Sequence, residues 1–288
     1  MSGTLYLCAT PIGNLEDITA RVLRTLKEAD LIAAEDTRHT RALLTHFDIH
    51  TPMTSYHEHN QAEKTDLLVG KLLTGTNIAL VTDAGMPAIS DPGEVLARRC
   101  LEEGIRVESL PGACALITGL TMSGMSARRF VFEGFLPREK KEREAVLSSL
   151  VSEKRTVILY EAPHRLSRTL KYLYDALGDR NTVLCRELTK IHEEAVRIRL
   201  SQAEEYFADK EPRGEYVLVI EGADQDSAAG SARQTAGAAD LCGMDIRSHV
   251  AFYEAQGMDR KAAMKAAAAD RGISRRDVYN ALLEKENN

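Results

Sequence analysis

The hydrophobic pattern of the first half of the chain predicts a parallel sheet flanked by helices. Short apolar runs with the length of buried strands occur at residues 5–9, 31–34, 78–82 and 107–110. Segments with the helical period occur at residues 18–29, 38–47, 61–73, 94–103 and 114–122. Strands and helices that alternate in this way are typical of an open α/β domain, which we expect over residues 1–122.

The second half predicts another α/β domain, over residues 123–222, with a mixed sheet. Runs typical of strands occur at residues 130–133, 156–160, 182–186, 196–200 and 215–221, and helical segments at residues 138–152, 164–177 and 202–208. The last strands lack long crossovers, so we expect them to be antiparallel. A Ser/Gly/Met-rich stretch at residues 123–128 marks the boundary between the two domains.

The composition changes again after residue 222. Residues 223–239 are rich in Ala, Gly and Ser without a large apolar side chain, which predicts a flexible linker. Residues 240–288 predict a helical tail with helices at residues 247–255, 260–270 and 275–285. Seven basic and three acidic residues between positions 247 and 276 give this tail a local charge of +4. Two helices joined by a turn that contains Gly are similar to a helix-turn-helix that contacts nucleic acid. Short helices also pack in this way for structural reasons alone.

The overall charge of −6, from 37 basic and 43 acidic residues, argues against a protein that coats nucleic acid or an anionic membrane. The sequence has neither a signal peptide pattern nor an apolar segment long enough to span a membrane, so we expect a soluble cytoplasmic protein. The five scattered cysteines include no C-x-x-C pair, which predicts reduced core thiols and no metal site.

Three predicted strands end in turns rich in Pro and Gly, at residues 10–15, 83–93 and 111–115. The chain lacks the phosphate-binding loop and the G-x-G-x-x-G motif, so a cofactor site must be built from turns of this kind. Taken alone, the first turn could simply connect a strand to the next helix without binding a ligand. Together, the three turns predict a cleft at the carboxyl edge of the sheet. Since no Lys lies near residues 83–93, that loop suits an adenosine or methionine moiety better than a triphosphate.

Polar clusters follow other predicted strands and have more than one interpretation. In the cluster at residues 35–38, Asp36 or Thr37 could simply cap a helix. His57 and His59 lack a third metal ligand nearby, which favours substrate contact. The mixed charges at residues 138–144 fit either a solvated helix face or a mobile lid. Charged groups at two further strand ends are expected to face the same cleft, at residues 160–165 and 185–190.

These segments, in this order, resemble the tetrapyrrole methylase superfamily, whose members bind S-adenosylmethionine in a cleft between two α/β domains. The chain is most similar to the branch that methylates ribosomal RNA. The resemblance covers nearly the whole chain, at residues 9–15, 34–38, 56–60, 82–93, 111–115, 133–137, 161–166, 186–194 and 214–222.

The resemblance implies methylation of the 2′-hydroxyl of a cytidine ribose, position 1402 in the decoding region of 16S rRNA, by a homodimer that uses S-adenosylmethionine. The substrate would be free 16S rRNA or the small ribosomal subunit. The methyl donor would lie against Pro11, Ile12, Asp83, Met86, Cys114, Ala115, Tyr160 and Leu218. The chain departs from the usual pattern at Cys114, where relatives usually have Ser, at Met86, often Thr, and at Ala113, frequently Pro.

A ribose hydroxyl is a poor nucleophile at neutral pH and needs a group that accepts its proton. The candidates are Glu161, Asp36 and, if its pKa is depressed, Lys190. Residues expected to hold the RNA are Arg38, His57, Asn60, Arg165, Arg186, Arg275 and Arg276. Two alternatives stay open: a methylase of a tetrapyrrole precursor, and a non-catalytic RNA-binding assembly factor.

Overall fold

The computed structural model describes residues 2–223, 245–255, 258–271 and 273–283. The chain divides between residues 225 and 226 into two compact units. Most of the predicted linker at residues 223–239 lies outside the described residues. The same holds for Cys242, Gly257 and Gly272. Among the described helices, none combines the length and the apolar character that a membrane crossing requires.

The first unit contains two five-stranded sheets, and the first of them is entirely parallel. Its strand order is β3-β2-β4-β1-β5. All four residues of β4 are buried, as expected for a central strand covered by helices on both faces. The strands are β1 (Thr4–Cys8), β2 (Leu31–Ala34), β3 (Met53–Ser55), β4 (Ile78–Val81) and β5 (Arg106–Leu110). The helices between and after them are α1 (Ala20–Glu28), α2 (Thr37–His46), α3 (Gln61–Leu73), α4 (Gly93–Glu102) and α5 (Ala115–Ser123).

The second sheet is mixed, with the order β6-β7-β10-β8-β9. Only the β6–β7 pair is parallel among the described strands of this sheet. The predicted α/β class with one parallel and one mixed sheet is therefore confirmed. The strands are β6 (Phe130–Gly134), β7 (Thr156–Glu161), β8 (Asn181–Arg186), β9 (Glu194–Arg199) and β10 (Tyr216–Ile220). The helices are α6 (Lys140–Leu150), α7 (Pro163–Leu177) and the single turn α8 (Ala203–Tyr206).

Helix α5 connects the two sheets and packs against the second one. Its Leu116 and Leu120 share an apolar cluster with Ile158 of β7 and Val217 of β10. Gly119 permits this close packing, because a Cβ atom there would lie 2.8 Å from Val217 Cγ1. The predicted domain boundary between residues 122 and 123 therefore assigns nearly all of α5 to the first domain, although this helix packs against the sheet of the second.

The second unit contains three described helices, α9 (Ile246–Ala255), α10 (Arg260–Arg271) and α11 (Arg275–Leu283), near the predicted positions. They enclose a small apolar core that includes Val250, Ala267 and Val278. Ser274 and Asp277 cap the start of α11, because they exchange side-chain to backbone hydrogen bonds of 3.1 and 3.2 Å.

Candidate functional site

A cavity of about 490 Å³ lies where the loops after the strands of the first sheet meet the second sheet. The loops after β1 and β4 are tied together, because Thr10 and Gly85 exchange backbone hydrogen bonds of 2.9 and 3.0 Å. The residues that line the cavity are Ile12, Glu35, Thr82, Asp83, Ala84, Gly85, Met86, Ile89, Ser90, Asp91, Cys114, Ala115, Phe135, Tyr160, Glu161, Ala162, Pro163, Leu188, Glu215, Tyr216 and Val217. Its size falls in the range typical of small-molecule sites.

The loop after β4 forms one wall, and Asp91 fixes its shape. The Asp91 carboxylate accepts hydrogen bonds from the backbone amides of Ala88, Ile89 and Gly93 at 3.0, 3.1 and 2.7 Å. Ala88 and Ser90 both adopt left-handed backbone conformations, with φ of 68° and 64°. Such residues cost about 1–3 kcal/mol each and persist where the surroundings hold them in place. The loop is therefore a rigid wall.

Tyr160 connects β7 of the second sheet to helix α5. Its hydroxyl accepts a hydrogen bond of 3.0 Å from the backbone amide of Leu116, in the first turn of α5. Burial raises the pKa of Tyr160 to about 12, so the phenol stays protonated at neutral pH. The Phe135 ring lies 5.7 Å from the Tyr160 ring and is 48% exposed, so an aromatic surface is accessible from the cavity.

The lining is acidic. Among the described residues it includes five carboxylates and no Lys, Arg or His, the carboxylates being Glu35, Asp83, Asp91, Glu161 and Glu215. A cavity of this charge attracts a cation and repels a phosphate. It therefore suits a positively charged small ligand.

Glu161, the first predicted proton acceptor, lines the cavity but has both oxygens engaged. It is 2% exposed; Oε2 accepts a 2.5 Å hydrogen bond from Thr169, and Oε1 accepts one of 2.9 Å from the Ala162 amide. Arg165 is the third partner of the Glu161 carboxylate, with its Nε 3.4 Å from Oε1. These contacts stabilise a buried anion and leave no carboxylate oxygen available to a substrate.

The other two predicted proton acceptors are ion-paired. Asp36 caps α2 and accepts two hydrogen bonds from the Arg38 guanidinium, which, with the Arg38 amide, lower the pKa of Asp36 well below its usual range. Burial lowers the pKa of Lys190, but hydrogen bonds to Glu187 and Glu215 at 2.9 and 3.0 Å outweigh it, so the pKa is raised. The condition for Lys190 to act as a base, a depressed pKa, is thus not met. Neither Asp36 nor Lys190 lines the cavity.

Six of the eight predicted donor-contacting residues line the cavity: Ile12, Asp83, Met86, Cys114, Ala115 and Tyr160. Pro11 and Leu218 are absent from the lining. The Leu218 side chain is fully buried in the core on the opposite face of the second sheet, and its neighbour Val217 lines the cavity instead. Successive residues of a strand point to opposite faces, which explains the difference.

The residues predicted to hold RNA are not gathered in the cavity. Arg38 is exposed and paired with Asp36, while Arg186 pairs with Glu194 and donates to the Arg213 carbonyl. Arg165 is mostly buried: its side chain is 12% exposed and donates to the Leu136 carbonyl at 2.6 Å, which favours a structural role over phosphate binding.

His57 and Asn60 stabilise the turn before α3. Asn60 Oδ1 accepts from the His57 amide at 2.9 Å, and Asn60 Nδ2 donates to Ser55 Oγ at 3.1 Å. Neither residue lines the cavity. Arg275 and Arg276 begin α11, but their side chains lie outside the described part of the structure.

Sequence reasoning did not single out Glu35, Phe135, Glu215 or Val217 as site residues, yet all four line the cavity. For Glu35 a signal existed. It directly follows β2, which pairs with β4 through Ala34 and Val81, so Glu35 lies next to Thr82 at the carboxyl edge. The Thr82 hydroxyl donates to Glu35 Oε2 at 2.6 Å.

Comparisons with known proteins agree with this geometry. The model of a family described as tetrapyrrole (corrin/porphyrin) methylases matches residues 4–204. The structure is similar to that of uroporphyrin-III C-methyl transferase from Thermus thermophilus complexed with S-adenyl homocysteine, with a TM-score of 0.55, 22% identity and coverage of 76% of this chain and 97% of that one. It is also similar to diphthine synthase, with a TM-score of 0.59, 15% identity and coverage of 76% and 90%. These likenesses show a shared fold.

Closer relatives bear the name ribosomal RNA small subunit methyltransferase I. The protein of that name from Halalkalibacterium halodurans is 48% identical over 278 residues, which cover 96% of this chain and 94% of that protein. The one from Synechocystis sp. is 47% identical over 285 residues, which cover 99% of each. The chain therefore belongs to the tetrapyrrole (corrin/porphyrin) methylase family.

Proposed function

We propose that this chain transfers the methyl group of S-adenosylmethionine to the 2′-hydroxyl of a cytidine ribose in the decoding region of 16S rRNA. The chain is a methyltransferase by family, and its relatives are named for the small-subunit ribosomal RNA. The observation that carries the proposal is the acidic cavity at the carboxyl edge of the first sheet, with no cationic side chain in its described lining.

The cavity fits the methyl donor in size and in charge. S-Adenosylmethionine supplies a methyl group on a positively charged sulfur and also carries an ammonium group and a carboxylate, so that its net charge is positive. The three lining carboxylates without an ion-pair partner in the described structure, Glu35, Asp83 and Asp91, favour these two cations, whereas a nucleoside triphosphate would meet repulsion. The aromatic surface of Phe135 and Tyr160 and the apolar side chains of Ile12 and Met86 suit the uncharged parts of the donor.

The chain's contribution to the reaction is first of all positioning. The rigid loop after β4 and the hydrogen bond between Tyr160 and Leu116 fix two walls of the cavity before any ligand binds. Holding two reactants in line can contribute about 7–11 kcal/mol when their orientation is good. A preformed cavity supplies this effect without the entropy cost of ordering loops.

The RNA is expected to contact residues outside the acidic lining. Arg38, His57, Asn60 and Arg186 remain candidates from unit one, and Arg275 and Arg276 from the helical tail. Arg165 is left out of this set because of its burial, and Arg38, with 89% of its side chain accessible, is the most exposed arginine among the candidates whose side chains are described. We further propose that the chain acts in the cytoplasm as a homodimer, which size-exclusion chromatography with light scattering would test.

The decisive experiment supplies labelled S-adenosylmethionine to the chain in three parallel reactions, with small ribosomal subunits, naked 16S rRNA and a tetrapyrrole precursor. We expect label in RNA, on the ribose of a single decoding-region cytidine when the RNA is mapped by nuclease digestion and mass spectrometry. Label only in the tetrapyrrole would favour the alternative enzyme. Failure to bind the donor at millimolar concentration in calorimetry would favour a non-catalytic RNA-binding protein.

A further inference from the structure

Two carboxylates from neighbouring strand ends meet in the cavity wall. Glu35 follows β2 and Asp83 follows β4, and the two strands are paired in the sheet. Glu35 Oε2 accepts hydrogen bonds from the Thr82 hydroxyl at 2.6 Å and from the Asp83 amide at 3.3 Å. Asp83 Oδ1 accepts one of 3.0 Å from the Asp36 amide. The pair is therefore fixed by the backbone of both strand ends.

In the described part of the chain, Asp83 has one carboxylate oxygen without a hydrogen-bond donor and accepts a single hydrogen bond on the other, whereas Glu35 Oε2 accepts two. Among the described residues, nothing donates a hydrogen bond to Asp83 Oδ2, although Asp83 lines the cavity and is partly buried. Glu161 and Asp91 have both oxygens occupied. Glu215 is 76% exposed and paired with Lys190. Asp83 thus combines a fixed position, a free oxygen and a partly dry environment.

We propose that Asp83 accepts the proton that the ribose hydroxyl loses during methyl transfer, and that Glu35 is a positioning residue that holds Asp83 and sets its basicity. The inference rests on the proposed function. The hydroxyl oxygen forms a bond to the methyl carbon, whose bond to sulfur breaks with its electron pair remaining on sulfur. The hydroxyl proton passes to Asp83 Oδ2 and from there to solvent, so that no other reactant is needed.

The charges around Asp83 favour this role. Burial and then the negative charge of Glu35 raise the pKa of Asp83, and Asp36 adds to the effect. His39 of α2 and the backbone amide of Asp36 oppose it, and Arg38 also interacts with Asp83. The net direction is upward. A carboxylate with a raised pKa is a stronger base than an ordinary one.

The first test is Asp83→Asn, which keeps an oxygen to accept the Asp36 hydrogen bond. We expect kcat for RNA methylation to fall by about 10²–10⁴-fold, the usual contribution of a proton acceptor. The affinity for S-adenosylhomocysteine, measured by calorimetry, should fall much less than kcat, because Asp83 is one of many residues in the lining. Asp48→Asn, at an exposed carboxylate outside the cavity lining, is the matched control and should retain the wild-type rate. A kcat for Asp83→Asn within about fivefold of the wild type would overturn the assignment.

The second test is Glu35→Gln, which removes the neighbouring charge and can still accept the Thr82 hydrogen bond. Because that charge raises the pKa of Asp83, the acid limb of the kcat profile should move to lower pH in this variant, and the Asp83 carboxyl resonance should titrate at lower pH in ¹³C NMR. An unmoved limb and resonance would contradict the role of Glu35. If the wild-type chain does not methylate RNA at all, the proposed function fails; if it does and Asp83→Asn remains active, only this inference fails.

Discussion

The buried pair of Glu161 and Arg165 allows a sharp test of whether Arg165 stabilises the fold or binds RNA. Arg165→Met would remove the guanidinium from a carboxylate that is 2% exposed and would also remove the 2.6 Å hydrogen bond to the Leu136 carbonyl. Loss of one partner of a buried ion pair costs about 3–5 kcal/mol. At about 2–4 °C per kcal/mol for a chain of this size, the melting temperature should fall by roughly 6–20 °C.

Circular dichroism is the suitable assay, because the chain contains no Trp. Arg168→Met is the matched control on the same helix, since Arg168 is exposed, and it should change the free energy of unfolding by less than about 0.5 kcal/mol. Adding Glu161→Gln to Arg165→Met removes the unpaired charge and should restore at least half of the lost stability. If Arg165→Met unfolds like the wild type but loses RNA affinity, the structural role is wrong and the arginine binds phosphate.

Three further changes test the cavity and the tail. Gly13→Ala places a Cβ atom 2.3 Å from Lys190 Cγ, so it should lower the free energy of unfolding by about 1–3 kcal/mol, with partial rescue by Lys190→Ala in a urea titration. Cys114→Ser gives α5 the side-chain cap that it lacks and should raise that free energy by about 0.5–1 kcal/mol, with donor affinity unchanged in calorimetry because Ser keeps the backbone and nearly the size of the Cys side chain. Deletion of residues 240–288 should lower RNA affinity and its salt dependence in filter binding while donor affinity persists; unchanged RNA affinity would contradict an RNA-contacting tail.

The fold was largely predictable because the central strands of both sheets are buried on both faces. The four residues of β4 and the five of β10 are all buried, and continuous apolar runs of this kind are visible without a partner. Strand β3 was not predicted, since none of its three residues is fully buried and its pairing with β2 depends on the tertiary structure. Short, half-covered strands carry little periodic signal of their own.

The position of the candidate cavity could be predicted from the sequence, but the contacts of individual charged side chains could not. Strand ends rich in Pro and Gly indicated the cavity, and six expected donor contacts do line it. In the cluster after β2, however, the Glu35 carboxylate accepts a hydrogen bond from Thr82, which follows β4, whereas the next residue, Asp36, caps α2. Which of two adjacent carboxylates enters the cavity is decided by the helix that follows the strand. Likewise, Arg165 is a buried partner of Glu161 because β7 and α7 bring them together, which the sequence alone does not specify.

The acidic cavity also explains how an acidic chain could act on a polyanion. Like charges repel, so the lining carboxylates without an ion-pair partner among the described residues, Glu35, Asp83 and Asp91, disfavour phosphate groups while they attract a cationic donor. If RNA is the substrate, its phosphates must then be held by cations outside the lining, such as the exposed Arg38, and by the tail with its local charge of +4. Only an uncharged part of a nucleotide, such as a ribose hydroxyl, can approach the carboxylates without this repulsion. The charge pattern therefore favours a reacting group that is neutral until it loses its proton. Such a group needs a nearby carboxylate oxygen that can accept the proton more than it needs an additional cation.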